Sequence, residues 1–311
     1  MKTKLTTLRR IPAKLFFVFL ALLQTLTLIP AVSAKAYDDS GNPDSNLINI
    51  LLIGQDRREE DTSARADSII LCSFQPEEKK ITMTSFLRDL YVEIPGHESN
   101  RLNAAYALGG MPLLKETLQT NFEITIDGCI EADFSRFPQI IDTLGGVSIE
   151  LRQDEADVIN NAVSGDLTAG HYILNGDQAL AYSRIRKLDA DGDFSRTSRQ
   201  RKLLTSLMDS YRSAGLIKMI SVVADLLPMV STDLSKKEIM VLAARLFPLM
   251  ENPSVVSQRI PADGSYSFGT VRNMDVLIAD LEDARFQLKN AFKTENTPQK
   301  AVSFPETSSP E

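Results

Sequence analysis

Histidine and cysteine are nearly missing from this chain: there are two of each among 311 residues. His97 and His171 lie far apart, each among turn residues, which argues against a histidine-based zinc site or a serine–histidine triad. Cys72 and Cys129 allow one disulfide at most, and both stand in apolar, strand-like surroundings where buried free thiols are the expected state. Positive net charge is lacking too: 34 Lys and Arg against 41 Asp and Glu leave −7, so non-specific nucleic-acid binding is not expected. No internal repeat is visible. Asp189-x-Asp191-x-Asp193 has the spacing of a calcium loop, but Phe194 stands where glycine is needed and Gln200 where the bidentate glutamate belongs.

What is present begins with an export segment. Lys2, Lys4, Arg9, Arg10 and Lys14 precede an apolar run from Leu15 to Leu23 that continues more weakly to Ile29, followed by Val32-Ser33-Ala34. Residues 1–36 therefore read as a secretory signal cleaved after Ala34 or Ala36, or as an uncleaved N-terminal anchor. At ~1.5 Å per residue the span to Val32 just crosses a bilayer, and Gln24, Thr25 and Thr27 weaken it. Both readings export the rest. Losing residues 1–34 removes five basic residues and takes the net charge from −7 to −12.

Residues 37–46, rich in Asp, Ser, Gly, Asn and Pro, read as a linker. The organising stretch then runs from Leu47 to Tyr106. Ile50-Leu51-Leu52-Ile53 ends at Gly54, the charged loop Gln55 to Asp61 follows, and Arg65-Ala66-Asp67-Ser68 leads into Ile69-Ile70-Leu71-Cys72. A third strand, Lys80 to Ser85, makes a hairpin with the second and is ended by Arg88-Asp89; Leu90 to Ile94 is a fourth short strand, and Arg101 opens the helix after it. Charges of both signs gathered at strand ends suit a small, highly charged ligand, because rigid strands fix the loops they carry.

Further on, helices over Asn103 to Leu108 and Pro112 to Asn121 are broken by Gly109-Gly110, and a strand is expected around Ile124 to Ile130. Asp133 is expected to cap a helix carrying Phe134, Phe137, Ile140, Ile141 and Leu144, and Val147 to Leu151 is a strand. The alternation predicts an α/β fold, a layered α/β/α domain with a central mixed sheet. Asp193 is expected to cap a long helix on which Arg196, Arg199 and Gln200 share a stripe with Leu203 and Leu207. Residues 213–295 read as a mostly helical C-terminal extension, with a capping box at Ser235 and Glu238, a short extended piece near Val255 to Ile260 and a last helix around Leu277 to Phe292. Residues 296–311 read as a disordered tail.

Between Gly54 and Arg201 there are 12 Arg and 4 Lys, whereas from Lys202 onward there are 5 Arg and 7 Lys. The planar guanidinium fork grips phosphate or carboxylate oxygens bidentately, which lysine cannot do. Competing with a ligand role, Arg184 and Arg186 could equally be salt-bridge partners of Asp189 or Asp191, and capping alone explains Asp193.

The motifs, taken in order, resemble the LytR-CpsA-Psr family of bacterial cell-envelope proteins. They are Gly54-x-Asp56-x-Arg58, Arg65-x-Asp67-Ser68, Arg88-Asp89 with Tyr91-Val92, Asn103-Ala104-Ala105-Tyr106 with Gly109-Gly110, and Leu144-Gly145-Gly146-Val147. Leu174-Asn175-Gly176 with Gln178 to Tyr182, Arg184-x-Arg186, and Gly192-Asp193-Phe194-x-Arg196-x-x-Arg199-Gln200 complete the set. The resemblance covers about 47–212 and implies a catalytic domain there. It implies a phosphotransferase that moves a glycopolymer, of teichoic acid or capsule type, from an undecaprenyl-pyrophosphate carrier to peptidoglycan. The location implied is the outer face of the cytoplasmic membrane of a Gram-positive bacterium. A polyprenyl-phosphate-binding regulatory protein and a polyprenyl-pyrophosphate hydrolase are the alternatives.

By the same resemblance, Asp56 and Asp67 would hold Mg²⁺. Arg58, Arg65, Arg101, Asn103, Arg184, Arg186, Arg196, Arg199 and Gln200 would line the pyrophosphate. Arg88 would act at the reacting phosphate, and Asp89 or Asp193 would orient or deprotonate the acceptor hydroxyl. Arg101, Leu87 and Leu90 depart from the residues usual in the family, lysine, proline and threonine respectively.

Overall fold

The structure, a computed structural model, describes residues 47–56, 65–189, 192–211 and 215–292. The signal or anchor segment, the linker, Arg58 and the C-terminal tail lie outside the described residues, as does the side chain of Asp56. None of the described helices is long and apolar enough to cross a membrane.

The centre is a six-stranded mixed sheet. Strands β1 (Ile48–Asp56), β2 (Arg65–Gln75) and β3 (Lys80–Phe86) form an antiparallel meander. The short pair β4 (Tyr91–Val92) and β5 (Asn100–Arg101) follows, and then β6 (Gly128–Asp133) lies parallel to β1. Beside the sheet stands a hairpin of β7 (Val147–Leu151) and β8 (Gly170–Leu174). The far chain returns to the sheet: β9 (Ser231–Thr232) pairs with β6, and β10 (Ser254–Ile260) runs parallel to β3. The resulting order is β10-β3-β2-β1-β6-β9. A second hairpin, β11 (Tyr266–Val271) and β12 (Met274–Ala279), precedes the last helix.

The central strands are continuous apolar runs because both faces of the sheet are covered. Side chains alternate along a strand, so Ile69 and Leu71 face one way and Ile70 and Cys72 the other. The first face buries Leu51, Ile53, Leu71 and Phe86 under Leu102, Leu114, Leu118 and Phe122 of α1 (Leu102–Phe122) and Leu288 of the last helix, α8 (Leu281–Phe292). The opposite face packs Ile70, Cys72 and Met83 against Leu204 of α5 (Asp193–Ser210). Each such side chain contributes roughly 1.5–3 kcal/mol on burial. The layered α/β/α arrangement is therefore present, and both cysteines are free and buried.

A separate apolar core joins β7 and β8 to α2 (Phe137–Thr143), α3 (Gln153–Ala162), α4 (Gly176–Ser183) and α5 through Ile141, Ile149, Ile159, Leu174 and Tyr182. Two further helices, α6 (Leu216–Leu226) and α7 (Lys236–Leu246), flank β9. The Ser235–Glu238 capping box of α7 is present as expected.

Several expectations are corrected. Asp133 ends β6 and accepts the Ser135 N–H at 2.8 Å, and α2 starts only at Phe137, because parallel pairing with β1 carries the strand as far as Asp133. The strand expected at Ile124 to Ile130 is thereby displaced. Gly192, with φ 53°, is the N-cap of α5, and Asp193 is its first helical residue, its carboxylate drawn to arginines instead of the helix N–H groups. The stretch after 213 is not only helical. It supplies β9 and β10 to the central sheet and the β11–β12 hairpin, with α8 starting at Leu281 and not Leu277. Gly109-Gly110 does interrupt α1: Gly110 takes φ 65°, which a side chain would resist.

Arg201 fastens α5 to two neighbouring strands. Its Nε donates to Ser257 on β10 at 2.5 Å and its Nη1 to Ser85 on β3 at 2.7 Å. Burial, with Arg259 adding to it, pushes its pKa down to about 10.

Candidate active site

The candidate site forms where the starts of β2 and α5 meet the loops after β3 and α4. The antiparallel register sets Arg65 opposite Asp56 and carries Asp67 and Ser68 beside Gly54, where the two central strands end. At its centre lies Arg88. Its Nη1 donates to Asp67 Oδ1 at 2.7 Å, and its Nε lies 3.1 Å from Asp193 Oδ2 and 3.4 Å from Asp89 Oδ2. Asn103 donates its backbone N–H to the Arg88 carbonyl at 3.0 Å, so the start of α1 fixes the loop that carries Arg88.

Three more guanidinium groups close around these carboxylates. Arg186 Nε lies 3.4 Å from Asp193 Oδ1, and its Nη2 lies 3.7 Å from Asp67 Oδ2. Arg196 is 2% exposed, and its Nη2 donates to Asp193 Oδ2 at 2.9 Å and to the Asp67 carbonyl at 3.0 Å. Arg101 Nη1 lies 3.5 Å from Asp89 Oδ1. Gln200 accepts from the Ser68 hydroxyl at 3.0 Å.

Burial opposes the charge of Arg88, but Asp193, Asp67 and Asp89 outweigh it and hold its pKa above the ordinary value. Burial raises the pKa of Asp193 against the pull of Arg88 and Arg186, with Asp89 and Asp67 adding to the rise. Among the described residues the buried Nε–H groups of Arg101 and Arg196 have no hydrogen-bond acceptor. A buried donor left so costs ~1–3 kcal/mol, and an anionic oxygen would recover it.

A cavity of about 750 Å³ opens beside this cluster. Its wall carries Arg88, Arg184, Arg186, Lys187 and Arg196, five cations, against two carboxylates, Asp67 and Asp177. That surplus favours an anion. Farther along, the wall is apolar: Val158 and Ala162 from α3, Val163, Leu180 from α4, and Leu188, with Phe134 beneath the Arg184 guanidinium at 5.3 Å. Of these residues the sequence singled out Phe134, on an apolar stripe, and not the others. The signal was a second apolar stripe on α3, Val158 and Ala162 at i, i+4, beside the buried Ala156 and Ile159 that the core alone needs.

The cavity thus collects Asp67, Arg88, Arg184, Arg186, Arg196 and Gln200 among the expected residues. Arg101, Asp89 and Asp193 join through ion pairs, while Arg65 is exposed at the start of β2 and does not line the cavity. Arg199 does not line the cavity. It is 5% exposed, turned away from the cavity, and held by Glu155 Oε1 at 2.9 Å from its Nε and by Asp189 Oδ2 at its Nη2. Its stripe on α5 points to the core shared with α3, where Glu155 also accepts the Arg152 N–H at 3.1 Å. Two strong carboxylate partners already satisfy this guanidinium.

For a metal, the fit rests on Asp67. Oδ1 is taken by Arg88; Oδ2, an oxygen of the hard type that Mg²⁺ prefers, faces the distant Arg186 Nη2 among the described residues. Among the described residues no group of three or more His, Cys, Asp or Glu is arranged to hold a metal.

Fold and site together define an α/β protein with a cavity whose mouth is rich in arginine and whose farther wall is apolar. The chain belongs to the LytR_cpsA_psr family, whose sequence profile matches residues 28–290. It is 34% identical over 183 residues to the polyisoprenyl-teichoic acid–peptidoglycan teichoic acid transferase TagT of Bacillus subtilis, covering 57% of this chain and 56% of that protein. It is 37% identical over 162 residues to the regulatory protein MsrR of Staphylococcus aureus, covering 51% and 48%. The chain thus spans about half the length of these curated relatives. A solved structure of the family protein YwtF (TagT) with bound octaprenyl pyrophosphate lipid superposes with TM-score 0.61 at 25% identity, over 79% of this chain and 90% of that one.

Proposed function

We propose that this protein transfers a glycopolymer, of teichoic acid or capsule type, from a polyprenyl-pyrophosphate carrier to peptidoglycan at the outer face of the cytoplasmic membrane. The observation that carries the reading is the cavity itself: a cationic mouth built on arginine continues into an apolar wall. A pyrophosphate with a prenyl tail needs both ends at once. The relative named as a teichoic acid transferase and the relative with octaprenyl pyrophosphate bound support the same reading.

In this reading Arg88, Arg186 and Arg196 hold the pyrophosphate oxygens, and the wall formed by Val158, Ala162 and Leu180 takes the first prenyl units. The acceptor hydroxyl oxygen bonds to the phosphorus that carries the saccharide. The bond from that phosphorus to the bridging oxygen breaks, and polyprenyl phosphate leaves. The hydroxyl proton passes to Asp193, which burial makes more basic than an ordinary aspartate, or to its neighbour Asp89. Charge that spreads over the phosphoryl oxygens is met by arginines already fixed by Asp67, Asp89 and Asp193, so little reorganisation is required. Asp67, with Asp56, would hold Mg²⁺, which when bound would neutralise part of the pyrophosphate charge.

The test supplies the purified protein with a polyprenyl-pyrophosphate-linked saccharide and peptidoglycan fragments, with and without Mg²⁺. Saccharide covalently joined to peptidoglycan is the expected product, and its loss on Mg²⁺ removal and in Asp67→Ala is the expected dependence. The name of the MsrR relative favours a second reading, a lipid-binding regulator. Tight lipid binding without product under any metal condition would decide for it, and release of free saccharide alone would decide for a hydrolase.

A further inference from the structure

We propose that the β11–β12 hairpin carries a saccharide subsite for the acceptor chain, with the ring of Phe268 as its platform. The proposal rests on the transferase reading above and adds where the acceptor glycan lies.

Phe268 is 76% exposed, far more than a phenylalanine on a paired strand needs to be. It does not stand alone. Tyr266, two residues earlier on the same face of β11, meets it edge-on with ring centroids 5.6 Å apart, and Phe194 lies 5.3 Å from Tyr266. The Arg259 guanidinium covers Phe194 at 4.4 Å. Phe194 directly follows Asp193, whose carboxylate is paired with Arg88. An unbroken series of rings therefore runs from solvent to the residue beside the proposed proton acceptor. The hairpin is tied to the other candidate as well, since Leu277 on β12 donates its N–H to the Asp89 carbonyl at 2.9 Å.

The chemistry of this face selects the occupant. Register places Leu277 opposite Phe268, and Leu277 is only 7% exposed, so the exposed apolar area is essentially one ring. Thr270 and Asp275, the next pair on the same face, offer a hydroxyl and a carboxylate 3.3 Å apart. One ring flanked by polar groups matches a pyranose, whose C–H face stacks on an aromatic ring while its hydroxyls hydrogen-bond at the edge. A bilayer would call for a broader apolar surface, and the nearby exposed Ile278 points from the opposite face, paired with Ser267. None of Phe194, Tyr266 or Phe268 lines the cavity assigned to the prenyl tail. Donor and acceptor thereby occupy separate ground on either side of Asp193.

The test titrates the full chain in detergent with a β-1,4-linked N-acetylglucosamine tetrasaccharide and, separately, with octaprenyl pyrophosphate, for wild type, Phe268→Ala and Phe268→Trp. Phe268→Ala should bind the tetrasaccharide about tenfold more weakly, a loss of the size of one aromatic stacking contact. Phe268→Trp should keep the affinity, and octaprenyl pyrophosphate should bind all three alike. Equal tetrasaccharide binding by Phe268→Ala, or no binding by wild type, overturns the proposal. So does a result in which Phe268→Ala changes only co-sedimentation with anionic vesicles, which would make the hairpin a membrane contact. If Phe268-dependent tetrasaccharide binding stands while octaprenyl pyrophosphate fails to bind wild type, the donor reading falls and the subsite remains.

Discussion

Replacing Arg199 by alanine separates a structural arginine from the arginines that face the cavity. In the folded protein its Nε donates to Glu155 Oε1 at 2.9 Å, its Nη2 to Asp189, and its Nη1 lies 3.5 Å from the Ile185 carbonyl. Glu155 is 4% exposed, so Arg199→Ala leaves a carboxylate in the core without its guanidinium. Removing one partner of a buried pair costs ~3–5 kcal/mol, because the remaining charge is stranded. Against a total stability of roughly 5–15 kcal/mol, that is a large fraction. The chain has no tryptophan, so urea unfolding is best followed by far-UV circular dichroism. Glu155→Ala in the same background should cost less than the two single losses added, with a coupling of ~1–3 kcal/mol. At a temperature where the variant is fully folded, its octaprenyl-pyrophosphate affinity should match wild type. A stability loss below ~1 kcal/mol combined with lost lipid binding would refute this, since it would put Arg199 in the ligand site.

Arg186→Ala should show the reverse pattern, because Arg186 lines the cavity and is partly exposed: unfolding nearly unchanged, octaprenyl-pyrophosphate affinity lowered about 10- to 100-fold in a binding titration. Gly176→Ala should destabilise the fold by ~1–3 kcal/mol in the same unfolding assay, since an added Cβ would lie 2.2 Å from the Pro138 carbonyl oxygen and α4 would be pushed off α2. Folded Asp193 holds its proton more tightly than the unfolded chain, so it stabilises the fold fully below the ordinary aspartate value. That contribution is lost as pH rises from about 4 through the raised value, and wild type should lose stability relative to Asp193→Asn across that window in a pH series of urea titrations.

What could be read from the sequence was local. Ile50 to Ile53, the Gly109-Gly110 break and the Ser235–Glu238 box each carry their signal within a few residues, and each appears in the fold. The role of Val255 to Ile260 was not local: its partner strand, β3, lies some 170 residues earlier, and parallel pairing leaves no trace in a turn. The site divides in the same way. Arg88, Arg186, Arg196 and Arg199 look alike as letters in a motif, and only the position of Glu155, which approaches Arg199 across 44 residues, distinguishes the structural arginine from the others. The apolar wall was hidden because nothing within a few residues of Val158 and Ala162 marks them as a groove; it shows only once α3 is seen to turn Ala156 and Ile159 to the core. The caps went wrong at Asp133 and Asp193, where tertiary partners, strand pairing in one case and arginines in the other, outbid the local preference.

The most direct measurement compares the affinity of the full chain for octaprenyl pyrophosphate, octaprenyl phosphate and inorganic pyrophosphate in one competition titration. A cavity that joins a cationic mouth to an apolar wall predicts that octaprenyl pyrophosphate binds more tightly than either of the others, since octaprenyl phosphate offers the arginines one phosphoryl group fewer and inorganic pyrophosphate offers the apolar wall nothing. Inorganic pyrophosphate binding as tightly as the lipid would contradict the account, because the apolar wall would then contribute nothing.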